Sequence, residues 1–517
     1  MADTGPPHWP AALQTRVMND PFSMAGKSLP VEEHAQLLVV GAGPAGLAAA
    51  IEGARLGLSV VLLDENPVSA ESMGDDIPFL FGQAMTGAVR NRTAMTEALI
   101  ETEPRLAEAF EAGVDVRLGT PVWGLYANGP SVGWLPGAVA GFLDDQKTRL
   151  IGFERAIVAT GHRDMGLAFP GWELPGVLGA RAALQLARCQ AIVARRAVVL
   201  GTSAEAFAAA RALRDAGVEI VAMVEQAEAA LFAGADFPLL IRHTPVRAEG
   251  AAAVEALALS DPEGRERRIE CDAIVLGVGA IPCIDLLAAA GCRTVFDGAR
   301  GGFVPELDAV QRTSIAAIQA VGDCAGVWAE KTEDRSIAEA EGVRAARMEA
   351  QTQPVVAPDL ASYRMDWVRR VVLGADGPAA PHVCRCEEVT AREILEVRPP
   401  RYLGAQRETR NDRSLASLLG QGPPSPDQVK RLTRAGMGVC QGRRCREQVA
   451  ALLALGAGVE LGEIQLASYR APVRPLPLSA WAATPEPAAM SAHWSTWFGI
   501  AAQAQPYWEI ETEDDNG

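Results

Sequence analysis

Four cysteines in the C-terminal part of the chain have the spacing of a ligand set for a metal or an iron–sulfur cluster. They form a C-x-C pair and a C-x4-C pair, namely Cys384 and Cys386, then Cys440 and Cys445. Four thiolates in two close pairs can hold either a [2Fe–2S] cluster or a zinc ion. Zinc commonly uses C-x2-C pairs, so a pair with one intervening residue favours the cluster and leaves zinc as the alternative.

The N-terminal half contains a glycine-rich turn between two apolar segments. Residues 37–40 (LLVV) lead into Gly41-Ala42-Gly43-Pro44-Ala45-Gly46, an alanine-rich helical pattern follows, and residues 59–63 (SVVLL) lead to Asp64 and Glu65. This order of strand, glycine turn, helix, strand and acid is typical of a dinucleotide-binding unit. Asp64, or alternatively Glu65, would accept a hydrogen bond from the adenosine ribose.

Each glycine of this turn has its own task in such a unit. Gly41 allows the tight turn, Gly43 lets the backbone approach the pyrophosphate, and Gly46 lets the helix pack closely on the strand. The pyrophosphate would lie beside Pro44 and Ala45 at the helix N-terminus, where free N–H groups favour negative charge.

A second unit of the same kind has an altered turn. Residues 197–200 (AVVL) form the first strand, and the glycine positions that follow are occupied by Gly201, Ser203 and Ala206. A side chain at Ser203 would stand where the backbone should approach a pyrophosphate. We therefore predict a structural domain with weak or no NAD binding, although Glu225 at the end of the next strand keeps an NAD site open as the alternative.

Two further segments assign the first unit to FAD. Residues 156–161 (AIVATG) end in Thr160-Gly161, and residues 320–326 (AVGDCAG) contain Gly322-Asp323. With these segments the chain resembles the flavoproteins that have two dinucleotide domains, the relatives of glutathione reductase. The resemblance implies that Asp323 contacts the ribityl chain of FAD and that the Ala-Thr-Gly strand marks the crossing into the second unit.

The remaining cysteines argue against thiol–disulfide chemistry. The disulfide reductases of this fold carry C-x-x-C or C-x4-C beside the flavin, and no such pair occurs among Cys189, Cys271, Cys283, Cys292 and Cys324. We predict that each of them is a small buried apolar residue. His162 could lie near the flavin, but we nominate no catalytic residue.

The C-terminal half resembles the small [2Fe–2S] domain of bacterioferritin-associated ferredoxin. It is still more similar to the version fused to the flavoprotein α subunits of heteromeric amine, imino-acid and opine dehydrogenases and of hydrogen cyanide synthase. The segments that carry the resemblance are 384–390 (CRCEEVT), 433–445 (TRAGMGVCQGRRC) and 169–177 (FPGWELPGV). It implies that the four cysteines are cluster ligands. Relatives also have a Gly-Gly-Gln stretch over the flavin, whose place here would be taken by Gly82-Gln83.

The resemblance also implies an assembly. A separate β subunit of the D-amino-acid-oxidase type would oxidise the carbon–nitrogen bond, and a small ferredoxin-like γ subunit would be present in some complexes. This chain would hold FAD and the [2Fe–2S] cluster and pass electrons to a quinone or another carrier. One alternative is a self-sufficient NADH-dependent reductase of a partner protein. A third hypothesis is a redox-sensing or cluster-delivery protein with a structural flavin.

Composition limits the other possibilities. A net charge of −17 argues against nucleic-acid binding, and no apolar stretch is long enough to span a membrane. Nine cysteines without an N-terminal secretory pattern fit a reducing compartment, so we predict a cytoplasmic location, free or peripheral to the inner face of the membrane.

We predict an α/β fold with two Rossmann-like domains of the glutathione-reductase type and a small α-helical [2Fe–2S] domain. The expected divisions are an N-terminal arm (1–36), an FAD domain (37–162 and 283–350), a second nucleotide domain (163–282), a linker (351–381), the cluster domain (382–465) and a tail (466–517).

Overall fold

The computed structural model describes most of the chain. The described residues are 31–67, 92–128, 137–144, 147–188, 192, 194–232, 237–350, 357–375, 380–404, 413–484, 486 and 488. Gln83, Cys189 and the predicted arm before residue 31 lie outside them.

The first dinucleotide unit is built on a seven-stranded sheet. Its elements begin with β1 (Glu33–Val40), α1 (Pro44–Arg55), β2 (Val60–Leu63), α2 (Arg92–Thr102), α3 (Arg105–Glu111), β3 (Asp115–Arg117), β4 (Val122–Tyr126), β5 (Ala138–Asp144) and β6 (Lys147–Val158). The strand order is β3-β2-β1-β6-β5-β4, with β1 parallel to both β2 and β6. Residues 37–40 of β1 are buried. Burial on both faces explains why this strand is apolar without alternation.

The second unit has its own parallel sheet. Its elements are β7 (His162–Asp164), β8 (Val177–Gly179), α4 (Ala180–Arg188), β9 (Arg196–Leu200), α5 (Ala204–Asp215), β10 (Glu219–Glu225), β11 (Leu239–Ile241), β12 (Thr244–Glu249), β13 (Ala256–Ser260), β14 (Glu266–Glu270), β15 (Ala273–Leu276) and β16 (Ala280–Pro282). The order of the five-stranded sheet is β11-β10-β9-β15-β8, and β12-β13-β14 form an antiparallel layer beside it. The chain enters through β7 and leaves through β16, which pair antiparallel. The first sheet is parallel except at β4 and β5, which pair antiparallel, and the second five-stranded sheet is parallel throughout. These two sheets and their flanking helices confirm the predicted fold class.

The chain then returns to the first unit. The returning elements are α6 (Asp285–Ala289), β17 (Thr294–Asp297), β18 (Gly302–Pro305), β19 (Ile318–Ala320), α7 (Ala329–Glu333) and α8 (Arg335–Arg347). Strand β19 joins the first sheet beside β6, where Ala320 faces Val158. Helix α8 packs against α1 at Gly342, where a Cβ atom would lie 2.0 Å from the carbonyl oxygen of Ala45. The first unit is therefore completed by residues far apart in sequence.

The C-terminal part is mostly helical. It comprises α9 (Leu360–Trp367) with a π-helical turn (Val368–Val372), β20 (His382–Cys384), β21 (Val389–Thr390), α10 (Ala391–Leu395), α11 (Leu415–Leu419), α12 (Pro426–Thr433), α13 (Arg446–Ala457) and α14 (Leu478–Ala482). The stretch 351–381, expected as a linker, thus contains a helix. Its Trp367 is fully buried in a core shared by the second unit and the cysteine-containing domain.

A buried guanidinium joins the first unit to the cysteine-containing domain. The Nη1 atom of Arg163 lies 2.6 Å from Asp285 Oδ2, and its Nη2 atom lies 2.5 Å from Glu447 Oε1 on α13. Burial would raise the pKa of the Asp285 carboxyl, but the charges of Arg163, Arg474 and Arg446 lower it to about 2. Asp285 therefore stays ionised between two parts of the chain.

Replacing Asp285 should weaken this joint. Asp285→Asn leaves the Arg163 charge buried with less compensation, which typically costs about 3–5 kcal/mol when one partner of a buried pair is lost. The folded carboxyl has a lowered pKa, so its contribution is complete above about pH 4 and is lost as the pH falls toward about 2. Urea denaturation at pH 7 should give a lower midpoint for the variant, and the difference should shrink in acid.

The matched control is Asp366→Asn. Asp366 pairs with Arg369 at 2.7 Å, but both side chains are more than half exposed, so the midpoint should hardly change. Equal midpoints for the two variants at pH 7 would contradict the role assigned to Asp285.

Candidate functional site

The first glycine turn has the geometry of a phosphate-binding loop. Gly41 has φ +110°, and a Cβ atom there would lie 2.3 Å from the carbonyl oxygen of Ala159. A Cβ atom at Gly46 would lie 1.8 Å from the carbonyl oxygen of Gly41, whereas no atom of the described residues lies within 4 Å of that position at Gly43. Gly43 is the N-cap of α1 and supplies no side-chain cap. Open space and uncapped N–H groups therefore coincide at Gly43.

Both candidate ribose-binding acids have partners within the protein. Asp64 Oδ2 accepts a hydrogen bond from the Ala42 N–H at 2.6 Å, and Oδ1 accepts one from the Asn66 N–H at 2.7 Å. Burial raises the pKa of Asp64 against the lowering effect of these bonds. Glu65 pairs with Arg474, whose Nε atom lies 2.5 Å away. Asp64 thus fixes the shape of the glycine turn, and its ribose contact stays a prediction.

The Thr160-Gly161 and Gly322-Asp323 segments lie side by side at the ends of their strands. The Thr160 hydroxyl donates to the carbonyl oxygen of Cys283 at 2.8 Å. Asp323 Oδ2 lies 2.7 Å from Nδ1 of His162. Burial would raise the pKa of Asp323, but the hydrogen bond and charge of His162 lower it to about 2.

The buried ion pair of Lys331 and Glu341 binds the backbone of the Gly322-Asp323 turn. The Gly322 N–H donates to Glu341 Oε2 at 2.7 Å, and Lys331 Nζ donates to the Gly322 carbonyl oxygen at 3.1 Å. Lys331 and Glu341 lie 3.0 Å apart, with side chains 1% and 3% exposed. Lys331 also lies 3.8 Å above the centroid of the Trp328 ring. The sequence does not predict this pair, because Lys331 and Glu341 look like ordinary exposed polar residues of a helix until their contacts are known.

One cavity of about 1360 Å³ collects these residues. Its lining contains nearly all the described residues predicted to bind FAD, which are Gly41, Gly43, Pro44, Ala45, Asp64, Glu65, Thr160, Gly161, Gly322 and Asp323. Gly46 lies beneath the turn instead, against Gly41. The same cavity reaches Cys440 and Arg443 of the cysteine-containing domain. The structure therefore brings the glycine turn and one of the four cysteines to a common space.

The four predicted ligand cysteines lie close together. The sulfurs of Cys386 and Cys440 are 3.3 Å apart, and Cys384 lies in contact with both Cys386 and Cys445. Cys386 is exposed and the other three are buried. Contact with Cys386, reinforced by burial, raises the pKa of the Cys440 thiol.

A glycine-containing turn lies against these cysteines. The Gly436 N–H donates to the Cys384 sulfur at 3.2 Å, as thiolate ligands require. A Cβ atom at Gly438 would lie 2.4 Å from Cβ of Cys386, so the turn approaches the cysteines closely. Among the described residues, however, no three or more His, Cys, Asp or Glu side chains converge as a ready-made metal centre. The four cysteines are nevertheless linked by contacts that run from Cys440 through Cys386 and Cys384 to Cys445. The identity of a metal stays a prediction.

The other cysteines behave as the sequence predicts where they are described. Cys271, Cys283, Cys292 and Cys324 are buried and unbonded to another cysteine. Burial raises the pKa of Cys324 to about 11 and that of Cys271 to about 12, so neither is a reactive thiolate near neutral pH.

Comparison with known proteins assigns the chain to a family. Residues 35–350, more than half of the chain, match the family described as Pyridine nucleotide-disulphide oxidoreductase. The chain belongs to this family. FAD is accordingly its cofactor. Its binding at the glycine turn and at Asp323 stays a prediction. Residues 415–485 match a second family description, Sarcosine oxidase A3 domain.

Similar proteins extend this pyridine nucleotide-disulphide oxidoreductase assignment over most of the chain. An opine oxidase subunit of Agrobacterium tumefaciens (strain Ach5) is 29% identical, with 87% of this chain and 92% of that protein covered. Hydrogen cyanide synthase subunit HcnB of Pseudomonas protegens is 26% identical, with 86% and 97% covered. These relatives support the predicted resemblance to flavoprotein subunits of multi-subunit oxidoreductases.

A solved structure shows the same fold. L-proline dehydrogenase from P. horikoshii superposes with a TM-score of 0.58 at 21% identity, covering 87% of this chain and 80% of that chain. In the described part of this chain, every helix is too short or too polar to cross a bilayer.

The open space at Gly43 yields a test of FAD binding. Gly43→Ala should leave the fold intact, because in the described part of the chain no atom lies within 4 Å of the new methyl group. The methyl group should keep the backbone away from the pyrophosphate and weaken its charge-assisted hydrogen bonds. The binding free energy of FAD should become less favourable by roughly 1.5–3 kcal/mol, which lowers the affinity about ten- to hundredfold. Flavin fluorescence titration of the apoprotein measures this loss.

The control is Gly137→Ala, since Gly137 is equally unobstructed but lies outside the cavity lining. It should bind FAD as the parent does. An unchanged affinity for Gly43→Ala would show that the turn does not approach the cofactor.

The Lys331–Glu341 pair predicts a second effect on FAD. Lys331→Met leaves Glu341 buried without its cation and frees one side of the Gly322 turn, so FAD should dissociate faster during gel filtration. Glu339→Gln, which alters the more exposed pair of Glu339 with Arg335 on α8, is the control. Equal FAD retention in the two variants would remove the positioning role of Lys331.

Proposed function

We propose that this chain is the electron-transferring flavoprotein subunit of a multi-subunit dehydrogenase that oxidises an amine, imino acid, amino acid or opine. The main support for the proposal is that the glycine turn and Cys440 line the same cavity. A flavin at the turn and a cluster at the cysteines would therefore face a common space. The opine oxidase and hydrogen cyanide synthase relatives support the substrate class and the multi-subunit assembly.

FAD, when bound, accepts an electron pair and can release it singly, and a [2Fe–2S] cluster carries single electrons. Cys384, Cys386, Cys440 and Cys445 would hold the cluster. The Gly436 N–H, already directed at the Cys384 sulfur, would stabilise negative charge there.

The residues around the cavity have positioning tasks. The turn at Gly43 would bind the pyrophosphate of FAD, and Asp323, kept ionised beside His162, would accept hydrogen bonds from its ribityl chain. Arg163 fixes the cysteine-containing domain against the first unit through Asp285 and Glu447. None of these side chains takes part in proton transfer to a substrate, because the carbon–nitrogen bond is oxidised in another subunit.

The proposed partners follow from this division of labour. A β subunit of the D-amino-acid-oxidase type supplies the electrons, a small ferredoxin-like γ subunit joins in some complexes, and a quinone or another carrier accepts the electrons. We place the complex in the cytoplasm, where thiols stay reduced.

The cluster is tested by iron analysis. Chain purified anaerobically and reconstituted with iron and sulfide should contain close to two iron atoms. Cys440→Ser should lose the iron and its visible absorbance but keep FAD. Cys271→Ser, at a buried cysteine of the second unit, should keep both. Stoichiometric zinc in place of iron in the chain as isolated, or full iron in Cys440→Ser, would contradict the cluster assignment.

The source of electrons is tested on the same material. Dithionite should reduce both centres, whereas NADH should leave the anaerobic spectrum unchanged. Rapid bleaching of the flavin by NADH would favour a self-sufficient NADH-dependent reductase instead. Co-expression with a D-amino-acid-oxidase-like subunit should yield a complex in which an amine or imino acid bleaches the flavin.

A further inference from the structure

The second dinucleotide unit keeps the backbone shape of a nucleotide site. Strand β9 ends at Leu200, the next residue, Gly201, has φ +94°, and α5 begins at Ala204. In such a unit the N–H groups of this turn bind the pyrophosphate, and an acid at the end of the next strand binds the ribose. Here that acid is Glu225, the last residue of β10.

The hydroxyl of Tyr363 on α9 is hydrogen-bonded both to an N–H group of the turn and to this acid. It accepts a hydrogen bond from the Thr202 N–H at 3.0 Å and donates one to Glu225 Oε2 at 2.7 Å. It also lies 3.1 Å from where a Cβ atom of Gly201 would stand, so it fills the space directly over the turn.

The remaining groups of the site are also satisfied within the chain. Glu225 is completely buried, accepts from the Thr202 hydroxyl at 2.6 Å and accepts from the Ala227 N–H at 3.0 Å. Ser203, at the altered glycine position, accepts from the Ala206 N–H at 3.1 Å and donates to the Gly277 carbonyl oxygen at 2.8 Å. The Thr202 N–H, the Ala206 N–H and the Glu225 carboxylate therefore already have partners within the chain.

The helix that carries Tyr363 is firmly anchored. The Tyr363 ring packs edge-on against the buried ring of Trp367, with centroids 6.4 Å apart. Buried Arg364 donates to the carbonyl oxygens of Ala280 and Gly301, both at 2.7 Å. Burial, followed by the negative charge of Glu225, raises the pKa of the Tyr363 hydroxyl, which remains a neutral donor.

We propose that Tyr363 closes the second nucleotide site by making the hydrogen bonds that a dinucleotide would make there, and so determines that this unit excludes nicotinamide nucleotides. Tyr363 is a specificity-determining residue on this account. The inference concerns the second unit alone and holds whether or not the cysteines bind a cluster.

The test is a nucleotide-binding measurement on the FAD-loaded full chain. Calorimetric titration with NAD⁺ and with ADP-ribose should show no binding to the parent chain. Tyr363→Ala removes the ring and frees the Thr202 N–H and Glu225 carboxylate, so it should gain measurable binding of both ligands. The readout does not depend on iron or on electron transfer, so it can fail independently of the proposed function.

The control is Tyr402→Ala, which removes a tyrosine that is 70% exposed in the cysteine-containing domain and should gain no binding. Binding of NAD⁺ by the parent as tightly as by Tyr363→Ala would overturn the proposal. So would a Tyr363→Ala chain that retains its FAD and circular dichroism but gains no nucleotide affinity.

A second measurement needs no variant. Hydrogen–deuterium exchange of the parent chain should be unchanged by millimolar NAD⁺ in residues 201–206 and 225–231. Protection of these residues by NAD⁺ would show an accessible site and overturn the proposal even where Tyr363→Ala fails to fold.

Discussion

The two-pronged contact of Arg163 is the interaction on which the arrangement of this protein depends. The Nη1 atom of Arg163 binds Asp285 of the first unit, and its Nη2 atom binds Glu447 in the first turn of α13. This helix begins at the residue after Cys445. Removing these charges from water is costly, and an apolar joint of the same size would be as stable or more so. What a planar guanidinium adds is a fixed orientation. That orientation places Cys440 in the wall of the cavity that also contains the glycine turn.

The parts of the site predictable from sequence are those set by local backbone requirements. Gly41 and Gly46 are identifiable because each lies where a Cβ atom would collide with backbone, a demand that only glycine meets. The role of the Lys331–Glu341 pair could not be predicted, because both side chains act by binding the backbone of Gly322, which lies outside their helices. The Arg474–Glu65 pair joins residues at opposite ends of the chain, and sequence spacing carries no signal for such contacts.

The stretch predicted as a linker shows a different limit. Residues 351–381 contain prolines at their start and both glycines and prolines at their end, which obscures the short helix Leu360–Trp367 between them. A helix of this length has little stability of its own and forms because tertiary packing offsets the entropy lost in ordering it. Trp367, Val368 and Val372 supply that packing in the shared core. The same packing places Tyr363 over Gly201, and no local sequence pattern predicts this contact.

The two glycine turns of this chain show how one substitution separates a binding site from a structural element. At Gly43 the helix has no side-chain cap, and among the described residues no atom lies within 4 Å of a Cβ atom placed there. At the equivalent position Ser203 caps its own helix, and the adjacent Thr202 N–H is bound by Tyr363. A ligand at the first turn gains hydrogen bonds that the protein lacks, whereas a ligand at the second must first break bonds that the protein has made. The sequence difference between Gly43 and Ser203 therefore distinguishes a helix start without a side-chain cap from one that its own serine caps.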